Sequence, residues 1–144
     1  MMRTLYLLIP RAFSRGLLLL VPVLFIAVDT SIHADEIVAK AIFLHQEDDK
    51  ITASNAQTGQ FFDLRINAKE KILEQYVANG AAIVITNQRY AGIGTFSGGW
   101  QSIRRIAGEK LISAEVQDYS ALLVTSDRLL SFNGRVGSWS QSRR

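Results

Sequence analysis

No cysteine occurs anywhere in the 144 residues. Disulfides, thiolate nucleophiles and cysteine-ligated metals are therefore excluded, although small exported domains often rely on disulfides. Proline, methionine and histidine number two each, and Met1, Met2, Pro10, Pro22 and His33 all fall within the segment 1–34. Beyond it only His45 is left, which excludes paired-histidine metal motifs within one chain. No Gly-x-Ser-x-Gly nucleophile elbow is present either. The stability of the remaining chain has to come from an apolar core, which about 110 residues can just supply.

The segment 1–34 reads as a secretory signal. Arg3, Arg11 and Arg15 charge its start, Leu17 to Val28 is apolar apart from Pro22, and Ile32-His33-Ala34 ends on a small residue. The apolar run is shorter than the roughly 20 residues a spanning helix needs. The expectation is a cleaved signal at 1–34, a domain at 35–144, no stable membrane span after cleavage, and a periplasmic or secreted location. A lipid-anchored form is excluded because no cysteine lies after the run. The leader holds three of the 16 basic residues and one of the 13 acidic ones, leaving 13 against 12. The basic balance therefore belongs mostly to the leader, and no nucleic-acid partner is expected from it.

A 39-residue interval organises the chain after the leader. Gly59-Gln60-Phe61, Gly98-Gly99-Trp100 and Gly137-Ser138-Trp139 recur at it, as do Lys50, Arg89 and Arg128, and Val38, Val77 and Val116. Glu70-Lys71 returns as Glu109-Lys110. A fixed period of this size signals a repeat architecture. Within each unit short apolar runs alternate with turn pairs such as Asn133-Gly134, which favours antiparallel strands over helices. The stretch 67–78 contains good helix formers, but its counterpart 108–118 carries Gly, Ser and Val, so strand is expected at both. The expected fold is all-β, with three tandem four-stranded antiparallel repeats at 36–74, 75–113 and 114–144. In the last of them the fourth strand would fall past Arg144, leaving 11 of 12 strands and an edge open to another chain.

An apolar strand, a polar turn, a cation, a second strand and a Gly-x-Trp ending together resemble a β-propeller blade of the PQQ or Kelch type. The Ala-x-Asp-x-x-Thr-Gly run of the former is missing, and only Thr58-Gly59 and Gly98-Gly99 echo the glycine features, so no cofactor is implied. Because a propeller needs about four to eight blades, the resemblance implies a six-bladed ring made by a homodimer. The alternative is a β-trefoil, which takes three such units in one chain.

Two candidate ligand-binding sets emerge. Lys50, Arg89 and Arg128 each start a second strand, and in a closed ring would form an anion-binding collar. Trp100 and Trp139, equivalent to Phe61, could be glycan platforms or could pack one unit on the next. Asp63, Glu70 and Glu109 could pair with the bases. Arg104-Arg105 matches Arg143-Arg144 at the repeat interval and reads as part of the strand pattern. Glu47-Asp48-Asp49 reads as a solvated turn, since the other units lack acidic counterparts to the whole cluster. His45 has no nucleophile or orienting partner beside it in sequence. No catalytic, metal or cofactor site is expected. The expected function is an exported, non-enzymatic binding module for an envelope protein, with glycan binding as the alternative and a glycoside hydrolase as the less favoured third.

Overall fold

Strand formation follows the turn chemistry. Beginning at Ile42, Ala81 and Ser120, runs rich in β-branched and aliphatic residues are separated by polar turns at Glu47–Asp49, Asn87-Gln88 and Ser126-Asp127. The computed structural model describes residues 40–144; the predicted leader and Val38 lie outside them. Eleven strands result: β1 Ile42–Gln46, β2 Lys50–Asn55, β3 Gln60–Arg65, β4 Ile72–Val77, β5 Ala81–Thr86, β6 Arg89–Gly94, β7 Gln101–Arg104, β8 Leu111–Gln117, β9 Ser120–Thr125, β10 Arg128–Asn133 and β11 Ser138–Arg143. The described chain is all-β, with no helix among its residues, and therefore none long and apolar enough to cross a membrane.

The strands form three antiparallel sheets, β1-β2-β3, β4-β5-β6-β7 and β8-β9-β10-β11. No barrel closes among them, which sets aside the trefoil alternative. The phase also differs from the expected one. Strand β4 pairs with β5 and β8 with β9, so each opens the sheet after it rather than closing the one before. The sheet with three described strands is consequently the first, not the last. The physical reason is turn length: β4 and β5 are joined by the short 78–80 connection, which favours hairpin pairing, whereas 66–71 is a longer linker between sheets.

Packing of sheet on sheet makes the core. All six residues of β5 are buried, and so are five of the six in β6, because the middle sheet is covered on both faces. Ala82, Val84, Ala91 and Ile93 face Ile42, Ile51, Ala53 and Leu64 of the first sheet. On the other side Ala81, Ile83, Ile85 and Tyr90 meet Ala121, Leu123, Leu130 and Phe132 of the third. The outer sheets instead alternate, as one-sided burial requires. Each fully buried Ile or Leu here contributes roughly 1.5–3 kcal/mol. The outward face of the first sheet carries His45, Thr52 and Ser54, at the repeat positions that Val84, Ala91 and Ile93 fill in the second.

Two glycines allow the middle sheet to approach the third. A Cβ at Gly92 would stand 2.8 Å from the Phe132 ring, and one at Gly94 only 1.9 Å from the Gly134 carbonyl oxygen. Neither position has room for a side chain, and at Gly94 the obstacle is backbone. Gly94→Ala is expected to cost more stability than Gly92→Ala, with the latter in the overpacking range of about 1–3 kcal/mol. Phe132→Leu should relieve part of the Gly92→Ala loss and none of the Gly94→Ala loss. Urea unfolding midpoints of the single and double variants check this.

Candidate functional site

One edge of the sheets gathers the turns 47–49, 87–88 and 126–127, the linkers 66–71 and 105–110, and residue 144. Of the 13 Lys and Arg in 40–144, only Lys40 and Arg135 lie elsewhere. The acids at this edge are Glu47, Asp48, Asp49, Glu70, Glu109 and Asp127, giving it 11 cations against six anions. The rest of the described chain carries two cations against Asp63, Glu74, Glu115 and Asp118. The near-neutral balance of the chain thus conceals a segregated charge.

Strand register sharpens this. Lys50 stands opposite Arg65, Arg89 opposite Arg104, and Arg128 opposite Arg143. Like charges directly opposite each other destabilise a sheet. In the second and third sheets the inner arginine is neutralised by a glutamate from the linker before it. Arg89 donates from Nε to Glu70 Oε1 at 2.7 Å and from Nη2 to Oε2 at 3.0 Å. Arg128 does the same to Glu109, at 2.8 and 3.1 Å. Each Nη2 also donates across to the preceding sheet, Arg89 to Arg65 O and Arg128 to Arg104 O, both at 2.6 Å. The pairs therefore tie linker, sheet and preceding sheet together. At the position before Lys50 that corresponds to these glutamates the sequence has Ser31. Among the described residues Lys50 Nζ reaches only the partly exposed Glu47, at 3.4 Å. The three collar candidates are not alike, and the two arginines among them are already occupied.

Both glutamate side chains have no exposed surface. Burial alone would raise their pKa. Hydrogen bonds from Arg89 to Glu70, and from Arg128, Ile106 N and Thr125 to Glu109, outweigh it and hold both carboxyls below the ordinary glutamate value. The Arg128 guanidinium is raised in turn by its bonds to Glu109. Tyr90 lies beside this network with Arg105 over its ring, 5.5 Å from the centroid. Its hydroxyl is buried with no hydrogen-bond partner among the described residues, and burial pushes its pKa up.

The aromatic set serves the junctions between sheets. Trp100 Nε1 donates to Phe62 O and Trp139 Nε1 to Gln101 O, each at 3.0 Å. Trp139 also packs on Phe132 with ring centroids 5.0 Å apart. Phe61, at the matching position of the first sheet, has no earlier sheet among the described residues to pack on, and it is 71% exposed. His45 is exposed, 3.9 Å from Glu47. Among the described residues no group of His, Asp and Glu is arranged to hold a metal ion.

Two clefts open between the charged elements. One, of about 630 Å³, is lined by Asn67, Gln88, Arg89, Arg104, Arg105 and Glu109, among others. The other, of about 520 Å³, is lined by Ile106, Asp127, Arg128, Gln141 and Arg143. The sequence pointed to Lys50, Arg89 and Arg128 as site residues and not to Arg65, Arg104 and Arg143, although these three share the same 39-residue interval. No protein-family model matches the chain, and no curated protein is significantly similar to it.

Removing one partner of a buried ion pair costs about 3–5 kcal/mol. Glu109→Gln should fall in that range by urea unfolding at neutral pH, and Glu70→Gln below it, because the Arg89 side chain is 24% exposed against 8% for Arg128. Since both folded pKa values lie below the unfolded one, about 4.3, the pairs stabilise fully above that value. Their contribution is lost as pH falls through the folded pKa. Unfolding free energy measured from pH 6 to pH 3 should fall steeply below about pH 4.5 in the parent and less steeply in the Glu70→Gln/Glu109→Gln variant.

For the aromatics, Trp100→Phe should cost about 1 kcal/mol or more through the lost hydrogen bond and packing area. Phe61→Ser should stay within about 0.5 kcal/mol. Thermal unfolding of the two variants makes the comparison.

Proposed function

We propose that this chain is an exported, non-enzymatic binding module that holds an acidic protein of the cell envelope against its basic edge. The single observation carrying this reading is the segregation of charge: 11 of 13 described cations lie on one edge, six of them in three opposed pairs that cost stability. A surface that bears such a cost is better explained by a complementary partner than by folding. Charge segregation of this kind steers association and fixes orientation.

The three sheets are, in this proposal, consecutive propeller-like blades of a tandem repeat. Supporting this are the 39-residue interval between corresponding strands, the shared strand order, and the recurrence of the tryptophan and arginine ties at both junctions. The outward face of the first sheet carries exposed Phe43 and Phe61 beside His45, Thr52 and Ser54. In this proposal its polar positions, filled by Val84, Ala91 and Ile93 in the second sheet, favour an open stack over a ring closed by a second copy. Export rests on the leader pattern of 1–34.

Catalysis by carboxylates is disfavoured by the same ion pairs. A glycosidase acid needs a raised pKa, whereas the two buried carboxyls are lowered. Glycan binding through Trp100 and Trp139 would have to use rings already engaged between sheets.

Fluorescence anisotropy with labelled poly-L-glutamate, and affinity electrophoresis in a neutral β-glucan, separate the readings. The expected result is polyglutamate binding that weakens steeply with salt and is lost in Arg65→Glu/Arg104→Glu/Arg143→Glu, with a monomer mass by light scattering. Retardation by the glucan without polyglutamate binding would overturn the proposal.

A further inference from the structure

We propose that the cleft at the charged edge of the second sheet is a carboxylate site that anchors an acidic peptide segment, with Arg104 as the residue that grips it. This rests on the basic-edge reading and adds a place and a chemistry to it.

The clefts of the second and third sheets share four positions at the repeat interval: Asn67 with Ile106, Gln88 with Asp127, Arg89 with Arg128, and Arg104 with Arg143. In each, a buried glutamate satisfies the inner arginine, and the register leaves a second arginine directly opposite it. One carboxylate cannot neutralise both. Arg104 and Arg143 are exposed and take no part in a salt bridge among the described residues. In the cleft of the second sheet Arg105 adds a further cation whose two Nη groups donate only to carbonyls, Thr86 O at 3.0 Å and Glu109 O at 2.6 Å. These bonds position the guanidinium without cancelling its charge.

One difference decides between the two clefts. Glu109, the sole acid lining that of the second sheet, has a fully buried side chain committed to Arg128. The cleft of the third sheet contains exposed Asp127 where the other has Gln88. An incoming carboxylate meets uncompensated positive charge at the second sheet and a like charge at the third. Arginine's planar fork matches a carboxylate, and this edge already closes twice on glutamate in that way, at Arg89 and at Arg128.

The test uses the 144-residue chain and a fluorescein-labelled hexaglutamate peptide, read by anisotropy at low and moderate salt. Loss of its charge-assisted hydrogen bonds predicts at least about a tenfold weakening in Arg104→Ala, and less than about threefold in Arg143→Ala. Gln88→Asp, which brings the third sheet's acid into the second sheet's cleft, should weaken binding as Arg104→Ala does, and Asp127→Gln should strengthen it. Arg104→Lys should recover only part of the loss, since charge without the fork remains; with Gln88→Asp it also keeps the test open should Arg104→Ala unfold. Equal losses in Arg104→Ala and Arg143→Ala would overturn the cleft while leaving the basic edge in place. No hexaglutamate binding by the parent at low salt would overturn both. Inorganic phosphate binding more tightly than the peptide would overturn the carboxylate assignment.

Discussion

A carboxylate with no exposed surface has to be neutralised where it lies, and in this protein that requirement joins one sheet to the next. Glu70 and Glu109 sit in the linkers between sheets, where burial alone would raise their pKa. Arg89 and Arg128 meet them from the third strand of the sheet that each linker leads into, and extend one more bond to the last strand of the sheet before. Three segments that are apart in sequence are therefore fixed at one point. The apolar faces supply most of the driving force, but that force is non-directional. The ion pairs and the two indole N–H bonds specify how one sheet is set upon another.

The middle sheet shows what that arrangement achieves. A single sheet of this composition would leave one apolar face in water, and strands β5 and β6 would leave two. Covering both faces lets Ile83, Val84 and Ile85 be buried in succession. It also demands close approach, which explains why Gly92 and Gly94 lie where the Phe132 ring and the Gly134 backbone leave no space for a Cβ. The basic edge works in the opposite direction. Opposed cations at the ends of all three sheets weaken the strand ends they occupy, and in the second and third sheets only one arginine of each pair is compensated by a carboxylate among the described residues.

Part of this is legible in the residues alone. The apolar run Ala81–Ile85 marks a strand, but Ala121–Val124 is a similar run in a strand buried on one face only, so double coverage of β5 shows only in the packing. The cation that opens each second strand and the Gly-x-aromatic ending are visible as recurring positions. The pairing of Glu70 with Arg89 is one option among several, because their separation along the chain has no meaning until the linker's path is known. As a sequence feature Arg104 belongs to the strand pattern. Its importance comes from standing across from Arg89, which is a matter of register and not of sequence spacing.

By itself the sequence determined the all-β class, the positions of the turns and the interval at which strands recur, because these depend on local propensity and on the period of side-chain burial. Tertiary structure decided which hairpin each strand joins, since that depends on linker length and on sheet packing together. It also decided which cations are consumed by buried carboxylates and which stand exposed across from them. Charge compensation acts through space over a few ångströms, and that distance is set only when the sheets are stacked.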